Sequence, residues 1–223
     1  EDAAHAPASL YRGRHCGSFG DVNAFSLHPL KNVNVWGDGG VVTTDSDEKA
    51  EEIRMLRSHG MSCRDTCEFW GYNSRLDTVQ AVVASHALAG LEHRTTRRRA
   101  NATMFSEMLD GIARIELPKA LPEAEPNYYL YVIHAERRDE LKAYLNANGV
   151  DAKIHYPTPL HLQPAARLLG YERGSFPVAE WCADTTLSLP NHEFITETQL
   201  QRMAMLMREF YDMSIARELC EGT

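Results

Sequence analysis

The chain has 223 residues, a mass of 25.1 kDa and a formal charge of −8, with 43% hydrophobic and 24% charged residues. That length can bury one or two cores, and the acidic balance excludes a large nucleic-acid footprint. No apolar run reaches bilayer length and no basic-then-apolar leader opens the chain; five scattered cysteines form no disulfide framework, so free thiols in a reducing cytoplasm are expected.

Residues 1–24 alternate glycine-rich turns with short apolar pieces. The opening Glu1-Asp2-Ala3-Ala4-His5 reads as the middle of a domain, so the chain is expected to be the carboxy-terminal part of a longer protein. Ala24–Leu27 predicts a short buried strand, Gly37–Gly40 a tight turn and Val41–Thr44 a second strand. Ser46 is placed to cap a helix through Arg57, with Asp47 and Glu48 in its first turn and Gly60 past its end. A polar loop is expected over 61–74. Leu76, Val79, Val83, Ala87 and Leu91 keep helical spacing and predict one long connecting helix over 76–110.

Beyond Gly111 the pattern changes. Ile112–Leu117 predicts a strand, 121–126 a loop, and Tyr128–Ala135 a strand rich in aromatic and β-branched residues. A helix over Asp139–Asn148 closes at Gly149, and Val150–Ile154 predicts another strand. Pro164 and Pro177 suit first-turn helix positions. Thr186–Leu189 predicts a strand, and Thr196 with Gln199 a capping box for a last helix to about Asp212. The alternation argues for α/β layers. Residues 1–110 read as part of a larger domain with its connecting helix, 111–213 as a smaller α/β domain and 214–223 as a loose tail.

The chemistry gathers around Lys31. An isolated lysine is normally a solvated surface charge. This one lies between a buried-looking strand and a glycine turn, and the chain also offers Asp2, His5 and Ser26. Lysine and carboxylate together suit pyridoxal phosphate (PLP): the amine forms an imine with the aldehyde, and the acid holds the pyridine nitrogen protonated. His59, Cys63 and Cys67 stand four apart, but no fourth ligand is visible and Gly60 breaks the helix that would align them, so no metal site is expected. The run His93–Arg99 is read as a solvated helix face.

The ordered segments Glu1-Asp2-Ala3-Ala4-His5-Ala6, Gly17-Ser18-Phe19-Gly20-Asp21, Phe25-Ser26-Leu27-His28-Pro29-Leu30-Lys31-Asn32 and Gly37-Asp38-Gly39-Gly40 carry a resemblance. Leu56–Gly60, Gly71–Asp77 and Ile154–Pro164 continue it. Together the chain resembles the carboxy-terminal portion of the DegT/DnrJ/EryC1/StrS sugar aminotransferases. The resemblance implies the α/β PLP-dependent transferase fold type I, like aspartate aminotransferase, with the large domain incomplete. It makes Lys31 the Schiff-base lysine and later a general base, and Asp2 the partner of the pyridinium nitrogen. It brings His5 near the ring, Ser26 to the phosphate, and Asn73 to the phosphate of a neighbouring subunit, which implies a homodimer with composite sites. Arg75, His155, Tyr156 and His161 become candidates for substrate contact.

The implied reaction is ping-pong transfer of an amino group, from glutamate, to a keto sugar, nucleotide-linked or a sugar phosphate. PLP-dependent sugar dehydration in the same fold is an alternative, although relatives of that kind replace the lysine with histidine. A non-catalytic regulatory or scaffold protein is another. Many relatives carry histidine in a Tyr-His-x-Tyr strand motif where this chain has Tyr128-Tyr129-Leu130-Tyr131. The family's amino-terminal part supplies a phosphate loop and a stacking aromatic, so residues 1–223 alone are expected to be inactive and to hold PLP weakly.

Overall fold

The computed structural model describes residues 1–221, with side chains described through residue 213. In chain order the elements are β1 (Leu10–Tyr11), β2 (Arg14–His15), β3 (Asn23–Ser26), β4 (Gly40–Thr43), α1 (Asp47–Leu56), β5 (Met61–Cys63), β6 (Thr66–Cys67), α2 (Thr78–Ala89), α3 (Leu91–Leu109) and β7 (Ile115–Glu116). There follow β8 (Ala124–Glu125), β9 (Tyr131–Ala135), α4 (Arg138–Ala147), 3-10 turns at Leu160–Leu162 and Pro164–Leu169, α5 (Pro177–Thr185), β10 (Thr186–Leu189) and α6 (Glu197–Glu221). The chain divides into a first unit, residues 1–96 with 120–129, and a second, 97–119 with 130 onward.

In the first unit β3 and β4 pair antiparallel, with Phe25 opposite Val41. Residues 1–3 run parallel beside β3: Asp2 faces Ala24, and Ala3 N donates to Ala24 O at 2.9 Å. A separate sheet has the order β2-β1-β8. Leu27, Val33 and Val35 form a small core covered by Leu76, Ala84, Ala87 and Leu91. Leu27 accepts from Val35 N at 3.0 Å, so the loop bearing Lys31 is closed on itself by backbone and apolar contacts.

Helix α1 starts as its sequence predicts. Ser46 accepts from Lys49 N at 3.3 Å, and Asp47 and Glu48 complement the positive end of the helix. The expected loop over 61–74 instead contains the β5–β6 hairpin, with a register shift between Met61 and Cys63. Gly60 permits the reversal: its φ is +71°, and a Cβ there would lie 1.7 Å from Phe69 O.

The single helix expected over 76–110 is two, broken at Gly90. Glycine weakens helix continuity, and a Cβ at 90 would meet Arg94 Nη1 at 2.6 Å. The basic run is only partly a solvated face. Arg97 is exposed, but Arg94 turns inward to Ala87 O. Arg98 pairs with Glu193 at 3.2 Å with both side chains mostly covered.

The second unit has the antiparallel order β10-β9-β7. Every residue of β10 is buried, and β9 alternates buried with half-buried positions. Phe105, Leu109, Tyr131, Ile133, Leu141, Leu145, Leu187, Leu200 and Met207 are essentially inaccessible; each contributes about 1.5–3 kcal/mol of burial. The strand expected over Tyr128–Ala135 begins only at Tyr131, because Tyr128 has φ +48°. The strand expected over Val150–Ile154 shrinks to a bridge between Lys153 and Ser188. Pro177 opens α5, and Thr196 with Gln199 forms the expected capping box of α6. Helix α6 runs to Glu221, past the expected end near Asp212. Of the tail expected over 214–223, the side chains and residues 222 and 223 lie outside the described residues.

Candidate active site

Side chains from three stretches of the first unit gather here: Lys31 stands over the Tyr129 ring, that ring packs on His5, and the Asp2 carboxylate is within electrostatic reach of the amine. Asp2 is fixed by its pairing beside β3 and by a turn in which its Oδ1 accepts from Ala4 N at 2.9 Å. Lys31 follows a tight bend closed by its own N–H to His28 O at 2.8 Å. Its Nζ lies 5.1 Å from the centre of the Tyr129 ring, and that ring packs against His5 at 4.6 Å. Burial draws the Lys31 ammonium below the ordinary lysine value, while the Asp2 carboxylate pulls it back up. The acid thus lies within electrostatic reach of the amine.

Ser26 ends β3 at the other side of the same bend, and its Oγ accepts from His28 N at 3.3 Å. Asn73 and Arg75 lie elsewhere in the first unit and engage each other, Arg75 Nε donating to Asn73 Oδ1 at 3.3 Å; Asn73 also bridges Ser58. The remaining candidates belong to the second unit. His155 Nδ1 is 2.9 Å from Ser188 Oγ, and Tyr156 is 66% exposed. His161 Nε2 meets Glu180 Oε1 at 2.9 Å with both side chains 8% exposed. Glu180 also accepts from Gly174 N and Phe176 N, so His161 is occupied within its own loop.

Tyr129 is the member that the sequence pattern did not single out as a site residue. Asn127, 4% exposed, holds it: Tyr129 N donates to Asn127 Oδ1 at 2.9 Å, and Asn127 Nδ2 donates to His5 O and Pro7 O. The sequence reads as strand from Tyr128 onward, whereas Asn127 bonds to residues about 120 positions away.

The residues present fit PLP. A half-buried amine of reduced basicity suits addition to an aldehyde, a carboxylate lies within electrostatic reach, a hydroxyl flanks the same bend, and an aromatic ring borders the amine. Two concavities of the first unit lie elsewhere, one beside Arg14, Asp21 and Lys49, the other beside His59, Arg64 and Trp70. Among the described residues, no group of three or more His, Cys, Asp or Glu is arranged to hold a metal ion, and no helix is long and apolar enough to cross a membrane.

Comparison with known proteins gives the same reading. The chain is 42% identical over 210 residues to the dTDP-3-amino-3,4,6-trideoxy-alpha-D-glucose transaminase of Streptomyces venezuelae, covering 94% of this chain and 55% of that one. It is 35% identical over 209 residues to the UDP-N-acetyl-3-dehydro-alpha-D-glucosamine 3-aminotransferase of Acidithiobacillus ferrooxidans, covering 93% and 56%. The crystal structure of S. venezuelae DesV in complex with a ketimine intermediate superposes with a TM-score of 0.90 at 42% identity, over 93% of this chain and 56% of that one. A Brucella abortus aminotransferase superposes at 0.88 and 34%, over 94% and 56%. The chain thus spans about half the length of these relatives. The fold is that of the type I PLP-dependent transferases, whose members in this group use PLP. Residues 1–208 match the sequence profile of the DegT/DnrJ/EryC1/StrS aminotransferase family, and the chain belongs to that family.

Proposed function

We propose that the whole protein is a PLP-dependent aminotransferase that moves an amino group, from glutamate, to a keto sugar carried on a nucleotide. The observation carrying this reading is a half-buried Lys31, over the Tyr129 ring and within electrostatic reach of Asp2, in a chain of this family. Bound PLP supplies an electron sink and a temporary carrier for the amino nitrogen. Lys31 would hold it and, as a free amine, would take and return the proton at the donor and acceptor carbon. The reduced basicity of Lys31 favours this work, because a neutral amine is the competent base. Asp2 holds a proton on the ring nitrogen through a charge-assisted hydrogen bond. Ser26 offers a donor to the phosphate, and Tyr129, packed on His5, borders the amine and limits water.

We further propose a cytoplasmic homodimer in which Asn73 reaches the partner's phosphate site and Arg75, His155 and Tyr156 meet substrate. Support comes from α2, which has no buried residue and leaves Val79, Val82 and Leu88 exposed. A Geobacillus stearothermophilus relative, 38% identical, is described as a pleiotropic regulatory protein, so the enzyme reading needs a direct test. Glutamate should bleach the cofactor absorbance of the complete protein, and Lys31→Ala should abolish both bleaching and transamination. Retained transamination in Lys31→Ala would refute the assignment.

A further inference from the structure

Beyond the lysine and its acid, one ring is placed to govern the amine. Tyr129 presents its face to Lys31 Nζ at 5.1 Å, within the range where an aromatic quadrupole attracts a cation. Its backbone N–H is held by buried Asn127, the same side chain that holds His5 O, and the ring packs on His5 with centroids 4.6 Å apart. We propose that Tyr129 is a positioning residue for Lys31: its ring face steadies the charged amine beside Asp2 and so sets the pH at which Lys31 becomes a base. This rests on the proposed role of Lys31.

The ionisable groups around the amine, among the described residues, divide by sign. Asp2 favours the ammonium by charge. The Tyr129 face favours it by its quadrupole. His5 packs against that ring, and His28, whose carbonyl accepts from Lys31 N, turns its Nδ1 to Leu30 N. Burial opposes the charge, and its effect exceeds that of Asp2. Removing the ring face while keeping an apolar bulk removes a stabiliser of the ammonium and keeps the desolvation. The midpoint of Lys31 must then fall.

The test uses the complete protein freed of cofactor. Competitive acetylation of Lys31 across pH, read by peptide mass spectrometry, follows protonation of the amine without reference to turnover. Tyr129→Phe keeps the face and should leave the midpoint in place. Tyr129→Leu and Tyr129→Met, two replacements in case one fails to fold, should lower it by about half a pH unit. The acidic limb of kcat should move down by the same interval in the loaded enzyme. A midpoint unchanged or raised in the folded apolar variants overturns the proposal, as does Tyr129→Phe behaving like Tyr129→Leu, which would assign the effect to the hydroxyl. Transamination surviving in Lys31→Ala would instead break the functional reading and leave the acetylation result standing.

Discussion

The two units solve the burial problem differently. The second encloses its own core: Phe105, Tyr131, Leu145 and Met207 are sealed between β9, β10 and the helices. The first seals little beyond Leu27, Val33 and Val35, and it exposes Trp36, Val41, Val82 and Trp70. Yet the first holds Asp2, His5, Lys31 and Tyr129 together. The lesson is that the reactive cluster is rigid because of local backbone closure, pairing beside β3 and one buried asparagine, not because of a large apolar interior.

Substitutions can break that contrast. Phe105→Ala should cost about 3–5 kcal/mol in chemical denaturation of the complete protein, since its fully buried ring packs 5.0 Å from Tyr131. A loss below about 1 kcal/mol would mean that the second unit is loosely packed. Val82→Asp, on the exposed face of α2, should leave the second unit folded and weaken the proposed dimer about a hundredfold or more, read by sedimentation velocity. An unchanged mass would remove α2 from the interface. Gly60→Ala should cost about 1–3 kcal/mol in the first unit, from its positive φ and the Phe69 carbonyl.

The smallest effect is local and depends on pH. Burial pushes the Glu180 carboxyl up, but the Gly174 N–H, His161 and the Phe176 N–H together hold it below the ordinary glutamate value. A lowered folded value contributes stability that is complete above the ordinary value and fades as pH falls through the folded one. Protection of the Gly174 amide, taken against its intrinsic exchange rate at each pH, should therefore fall on acidification below the ordinary carboxylate range, and Glu180→Gln should remove that fall. Protection that stays constant across pH would separate this loop from the His161–Glu180 pair.

Much of this was readable in the residue order, and the exceptions share a cause. Ser46, Pro177 and the Thr196–Gln199 box act within four residues, so their helix starts follow from local chemistry. The β5–β6 hairpin and the break at Gly90 depend on contacts with Phe69 and Arg94 that no periodicity reports. The same holds for the site. Asp2, His5 and Lys31 stand in motif-bearing segments, whereas Tyr129 joins them only because Asn127 reaches back to His5 and Pro7. The stretch Pro126-Asn127-Tyr128 carries no sign of its distant partner.

The most direct test is chemical fixation. Borohydride reduction of the complete, PLP-loaded protein, followed by proteolysis and mass spectrometry, reports which amine carries the cofactor. The account predicts the added mass on the peptide containing Lys31 alone. Attachment at Lys49, Lys119, Lys142 or Lys153, or at no lysine, would contradict it.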